Sequence, residues 1–129
     1  MGAQVFRESF QDGDIDRLIA DLAPEFAFFH TALSEPTTEP EVLKAVLVVA
    51  RETLGDDFRF TEHAKGDGLH ALRWTSTIGG IAAEGVDVVR EDEQGRTTEI
   101  RITMRPMQAN AAWSDAMRER FGGRPDAER

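Results

Sequence analysis

Asp87 stands in the apolar run Val86-Asp87-Val88-Val89. A carboxylate enclosed by valines must be paired, hydrogen-bonded or kept neutral, because an isolated buried charge is very costly. A carboxyl group held in that way can donate a hydrogen bond to a developing oxyanion or orient a neighbouring imidazole. His30 is the second candidate. It closes the aromatic segment Phe26-Ala27-Phe28-Phe29-His30, and an imidazole titrates near neutrality, which suits a general base. By themselves the two residue types do not name a reaction. If the chain is an enzyme, they suit proton transfer, with His30 taking the proton and Asp87 orienting the ring or donating to a developing oxyanion. The structural alternatives are an aspartate accepting from backbone amides or from an arginine, and a packed histidine bonded to a carbonyl.

The other polar candidates are weaker. His70 shares a strand face with Leu72 and Trp74 and can reach a pocket, although a rim position suits it better; His63 is expected in solvent near a turn. Three histidines without ligand spacing do not argue for metal, and the set His30, His70 and Asp87 is not expected to hold one. The absence of cysteine removes thiolate nucleophiles, disulfides and cysteine-based metal sites. Asp56-Asp57 and Glu91-Asp92-Glu93 read as solvated turns rather than calcium loops. A net charge of −9, with only two lysines, Lys44 and Lys65, excludes nucleic acid and acidic membrane surfaces as partners. The first residues show no basic stretch followed by an apolar core, and the longest apolar run, Ala45 to Ala50, is far too short to span a bilayer. A cytoplasmic protein is the expectation.

The elements that must position these residues follow from periodicity. Val5, Phe6 and Phe10 recur at helical spacing over 3–12, and Gly13 interrupts them. Asp14 caps a second helix over about 15–22, ended by Pro24. Residues 26–30 form a strand with Phe26, Phe28 and His30 on one face. A breaker-rich loop, 31–40, precedes a helix from Glu41 to about Leu54, stopped by Gly55. Strands are expected over 58–63, 69–78, 82–90 and 97–105, with a hairpin turn at Gly79-Gly80. Their alternation puts Gly85, Asp87 and Val89 on one face and Glu84, Val86 and Val88 on the other, and gathers Ile100, Ile102 and Met104. A last helix covers about 108–121, where Trp113 would lid a pocket mouth or pack at a dimer seam, and 122–129 reads as a disordered tail. This order predicts one α+β domain over 1–121: a curved, mixed or antiparallel sheet packed against three helices from the N-terminal half, with an additional C-terminal helix.

Several segments carry a family resemblance over about residues 4–121. They are Phe10-Gln-Asp-Gly-Asp-Ile-Asp16, Leu22-Ala-Pro-Glu-Phe26, Asp57-Phe-Arg-Phe60, Glu84-Gly-Val-Asp-Val-Val-Arg90, Gly95-Arg96 and Met104-Arg-Pro106. In these the chain resembles the SnoaL-like proteins of the nuclear transport factor two superfamily, whose members include ketosteroid isomerases, polyketide cyclases and limonene epoxide hydrolases. The resemblance implies a cone-shaped fold. By analogy with the isomerases it puts the base at His30 and a protonated oxyanion donor at Asp87. The isomerases' tyrosine donor falls on Phe6, and the chain has no tyrosine. The acid that the cyclases use late in the final strand is missing from Thr103-Met-Arg-Pro106, so neither activity transfers whole.

The expectation is a small apolar ligand in a pocket between sheet and helices, bound and, if converted, isomerised or cyclised without a cofactor. Phe6, Phe28, His70, Leu72, Trp74, Ile100, Ile102 and Met104 are the expected lining, with His30 and Asp87 as the reacting groups. Val86 and Val88 need cover on the outer face, which a second subunit in a symmetric homodimer would supply. The alternative is a non-catalytic ligand carrier, or a module that pairs with another protein through its sheet.

Overall fold

The computed structural model describes residues 1–121; the expected tail at 122–129 lies outside them. Helix α1 spans Gly2–Asp12 and buries Phe6 and Phe10, one helical turn apart. It ends at Gly13, whose φ of 80° supplies the left-handed cap. The Asp14 carboxylate then accepts from the backbone N–H of Arg17 and caps α2, Ile15–Ala20.

Here the structure departs from the periodicity. Strand β1 already runs over Leu22–Phe29, so Pro24 does not end a helix but lies inside a strand. It is tolerated because β1 is the edge of the sheet and its register against β5 is irregular between Leu22 and Ala27. A proline there has no ladder hydrogen bond to lose. The loop after β1 returns to this edge: Phe28 and Thr37 exchange backbone hydrogen bonds of 2.9 and 2.8 Å. That covers part of the open strand and holds the chain around His30.

Helix α3, Pro40–Thr53, starts with proline in its first turn and buries Leu43, Val46, Leu47, Val49 and Ala50. Val42 is 44% exposed. Strands β2 (Arg59–Lys65), β3 (Leu69–Ile78), β4 (Ile81–Glu91) and β5 (Thr97–Arg105) follow, then α4, Met107–Arg120. The five-stranded sheet has the order β1-β5-β4-β3-β2, with β1 parallel to β5 and every other pair antiparallel. The expected α+β architecture and mixed sheet are therefore present. No helix among the described residues is long and apolar enough to cross a membrane.

One face of the sheet meets the helices. Leu72, Trp74, Asp87, Val89, Ile100 and Ile102 are all buried there, against Phe6, Phe10, Leu47, Trp113 and Met117. The other face carries ion pairs: Arg73 bridges Glu62 and Glu84, and Arg105 also reaches Glu84. The Arg101 guanidinium lies 3.8 Å from the centre of the Phe29 ring. Val86 and Val88 are half-buried between these long side chains.

The β3–β4 hairpin fixes the pairing that the site depends on. Gly79 and Gly80 have φ of 57° and 80°, as a two-residue hairpin turn of this hand requires. A Cβ at Gly80 would meet nothing within 4 Å, so a substitution there tests backbone conformation alone. Gly80→Ala is expected to lower stability by about 1 kcal/mol in urea denaturation without changing the slope of the transition.

Candidate functional site

Trp74 and Gly85 are cross-strand partners in the β3–β4 ladder, and Leu72 pairs with Asp87. Any side chain at Gly85 would overlap the six-membered ring of Trp74 and the Thr103 carbonyl oxygen. The missing Cβ thus lets the indole lie flat over β4. That pose carries Nε1 to Asp87, two residues along the same face, where the indole N–H donates to Oδ1 at 2.9 Å. Asp87 is 3% exposed. Burial pushes its carboxyl up to about 8, against the opposing pull of the Trp74 hydrogen bond. The group is therefore mostly a neutral acid at pH 7. An indole N–H can only donate, so Oδ1 accepts; the carbonyl oxygen is the better acceptor of a neutral carboxyl, which favours the proton on Oδ2.

A cavity opens beside this carboxyl, lined by Phe6 and Phe10 of α1, Leu54, Phe58, Trp74, Asp87, Ile102, Met104 and Trp113. Its volume is about 10 Å³, room for no more than about one water. The walls are aromatic and in mutual contact: Phe58 sits 5.6 Å from Trp74 and 5.3 Å from Phe10, ring centre to ring centre. Among the described lining residues Asp87 alone is titratable. Such a site can donate one strong hydrogen bond to an oxygen in surroundings that exclude water.

His30 lies just beyond β1, 6% exposed. Its Nδ1 accepts from the Trp113 indole N–H at 3.4 Å and from the Ala32 backbone N–H at 3.3 Å. Both neighbours are pure donors, so Nδ1 must keep its lone pair and the neutral ring carries its proton on Nε2. Burial lowers the imidazole to about 4. Nε2 is buried with no hydrogen-bond partner among the described residues. The two tryptophans of the chain thus divide the two candidate groups between them, Trp74 on Asp87 and Trp113 on His30. Trp113 also lines the cavity, whereas His30 does not, and among the described residues no hydrogen bond joins His30 to Asp87.

The remaining expected site residues separate into three groups. Phe6, Trp74, Ile102 and Met104 line the cavity. Phe28, Leu72 and Ile100 are buried core residues away from its wall. His70 faces elsewhere: its Nε2 meets Glu91 at 3.2 Å and its Nδ1 meets His63 Nε2 at 3.0 Å. His63 is half-buried in that pair rather than free in solvent, and Glu91, read as part of a solvated turn, accepts from the Ala3 backbone N–H at the start of α1. The described residues hold no group of histidines and carboxylates arranged for a metal ion. Phe10, Leu54 and Phe58 were missed as lining residues. The i, i+4 spacing of Phe6 and Phe10 was the signal available for the first of them; the other two ended the expected helix 41–54 and opened the expected strand 58–63, and the structure puts both just outside those elements, at the turn joining α3 to β2.

No family model matches the sequence, and no curated protein matches it. Solved structures do. An uncharacterised protein with a cystatin-like fold from Silicibacter pomeroyi DSS-3 is 25% identical, covering 94% of this chain and 85% of its own, with a TM-score of 0.86. A steroid delta-isomerase from Pseudomonas aeruginosa is 22% identical over 95% of this chain and 90% of its own, TM-score 0.84. A putative polyketide cyclase from Sinorhizobium meliloti is 12% identical over 79% and 93%, TM-score 0.65. The chain has the cystatin-like fold that these proteins share, the one its resemblance to SnoaL-like proteins implied.

Two outcomes follow from this geometry. Asp87 has a carboxyl pKa raised on folding, so the fold prefers it protonated; the stability tied to that proton is full below the unfolded value near 4 and is lost as pH rises through about 8. His30 runs the other way, losing stability as pH falls from about 6.5 through about 4. Asp87→Asn should therefore gain on the wild type between pH 5 and pH 9 in paired urea titrations. Gly85→Ala should cost about 1–3 kcal/mol by crowding the indole, and should shift the Trp74 emission in fluorescence spectra as the bond to Asp87 is displaced.

Proposed function

We propose that this chain binds a small, apolar molecule carrying a carbonyl-type oxygen, held against the neutral Asp87 carboxyl between helices and sheet. The observation that carries the reading is the Trp74–Asp87 pair: a buried acid, held largely neutral by desolvation, with one oxygen occupied by an indole donor, in a residue that lines an apolar cavity. Such a carboxyl recognises an acceptor oxygen and rejects a cation. The likeness to a steroid delta-isomerase and to a putative polyketide cyclase supports a cofactor-free enzyme of isomerase or cyclase type as the catalytic form of this reading. In that form Asp87 would stabilise the enolate oxygen as the neighbouring carbon loses its proton. His30, with Nδ1 occupied and Nε2 protonated, fits the role of base poorly.

One observation favours the competing reading, a ligand carrier without catalysis or a module that pairs through its sheet. The cavity is nearly filled by Trp74, Met104, Trp113 and the phenylalanines, so a ligand must displace side chains to enter. Pairing would use the outer sheet face, where Val86 and Val88 are half-buried between arginines and glutamates, and would give a homodimer. A cytoplasmic setting belongs to either reading.

The test uses acetophenone and its near-isostere α-methylstyrene, which lacks the oxygen. The wild type should bind the ketone about tenfold more tightly, the worth of one good buried hydrogen bond, with the preference fading above pH 8 and absent in Asp87→Leu. Equal affinity for both probes in the wild type would sink the reading. Isomerisation of cyclohex-3-enone, slowed about a hundredfold or more by Asp87→Leu, would identify the catalytic form; binding without turnover would identify a carrier.

A further inference from the structure

His30 stands outside the cavity lining, and its surroundings fix the position of a proton. Nδ1 is met by two N–H groups that cannot accept, from Trp113 at 3.4 Å and Ala32 at 3.3 Å. A proton on Nδ1 would point at both of them, which leaves Nε2 as the only place for the ring's proton. Nε2–H is then a buried donor with no acceptor among the described residues, in a residue 94% removed from solvent. A buried donor left unpaired is costly, and native structures rarely keep one without a use.

The ring is held on both sides. Its centre lies 5.6 Å from that of Phe28 and 6.0 Å from that of Trp113, and the Phe28–Thr37 bridge ties down the chain that precedes and follows it. The donor therefore has a fixed direction. Trp113, whose ring lines the Asp87 cavity, is the partition between the two polar groups.

We infer that His30 is a ligand anchor and not a base: its Nε2–H donates to a second oxygen of the bound molecule, on the other side of Trp113 from Asp87. Its occupant rests on the ligand reading above; the donor itself does not. The class of ligand narrows accordingly to an apolar body with two carbonyl-type oxygens, both uncharged, since a single N–H in these surroundings would not compensate a full negative charge. Trp113 must shift for both oxygens to be reached at once, which makes it the side chain that admits the ligand.

Long-range proton–nitrogen NMR of the protein labelled with ¹⁵N-histidine tests this directly, the three ring systems being assigned from His63→Gln and His70→Gln. His30 is expected as the neutral Nε2–H tautomer without titration from pH 5.5 to pH 8; an Nδ1–H tautomer, or a titration near pH 6.5, would overturn the inference. Titration with 1,4-diacetylbenzene should then shift both the His30 Nε2–H signal and the Trp74 indole N–H signal. His30→Leu should weaken binding about tenfold while His30→Gln, which keeps a donor, should retain most of it. A response at Trp74 alone removes the His30 anchor and leaves the Asp87 reading standing. A response at His30 alone does the reverse, and silence at both removes both.

Discussion

The hydrogen bond from Trp74 to Asp87 is the interaction on which the site rests, and it depends on an atom that is absent. Gly85 gives up its Cβ so that the indole can lie across β4 and reach the carboxyl two residues on. The hairpin at Gly79-Gly80 sets the register that puts Trp74 opposite Gly85. Desolvation then dominates the electrostatics: with no cation beside it among the described residues, the carboxyl becomes a neutral acid rather than a paired anion. Its protonated state follows from burial among Phe, Ile, Met and Trp side chains, so the core and the chemistry share the same residues.

The two tryptophans enforce different outcomes on two groups of opposite character. Trp74 supplies a donor to an acid and leaves that acid a donor on its other oxygen. Trp113 supplies a donor to an imidazole, occupies its one lone pair and leaves it a donor as well. Two donors separated by an indole suit a ligand with acceptor oxygens and an apolar body. They do not supply the base that proton abstraction needs, which is why binding is the reading the geometry supports first. The nearly filled cavity weighs against turnover as well, since a packed wall must rearrange before anything larger than a water can enter.

Much of this was legible in the chain. Period-two alternation put Asp87 with Gly85 and Val89 and put His30 with Phe28, and each proved to lie on a buried face. The helices, the succession of strands along the chain and the hairpin turn followed from apolar spacing and glycine punctuation. Pro24 was misread because a proline breaks a helix in most settings, and only the edge position of β1 shows why a strand tolerates it. The state of His30 was not legible at all: its tautomer is dictated by Trp113, 83 residues away in sequence, and by Ala32 in a loop whose path no pattern gives. His70 shares a strand face with Trp74, yet it meets Glu91 and His63 rather than the cavity, because that face extends past the cavity to the start of α1. Leu54 and Phe58 stood at the ends of expected elements, and which way a residue faces just outside its helix or strand is set by tertiary packing rather than by periodicity.

The ionisation state of Asp87 decides the account. The side-chain carboxyl carbon shift of Asp87, followed by ¹³C NMR from pH 4 to pH 10 and assigned by Asp87→Asn, reports it directly. A shift that stays in the protonated range at pH 6 and moves with a midpoint near 8 is what the buried, indole-bonded acid requires. A carboxylate already ionised at pH 6 would mean that the cavity is wet or that a cation reaches Asp87, and would contradict the donor role on which the proposed function stands.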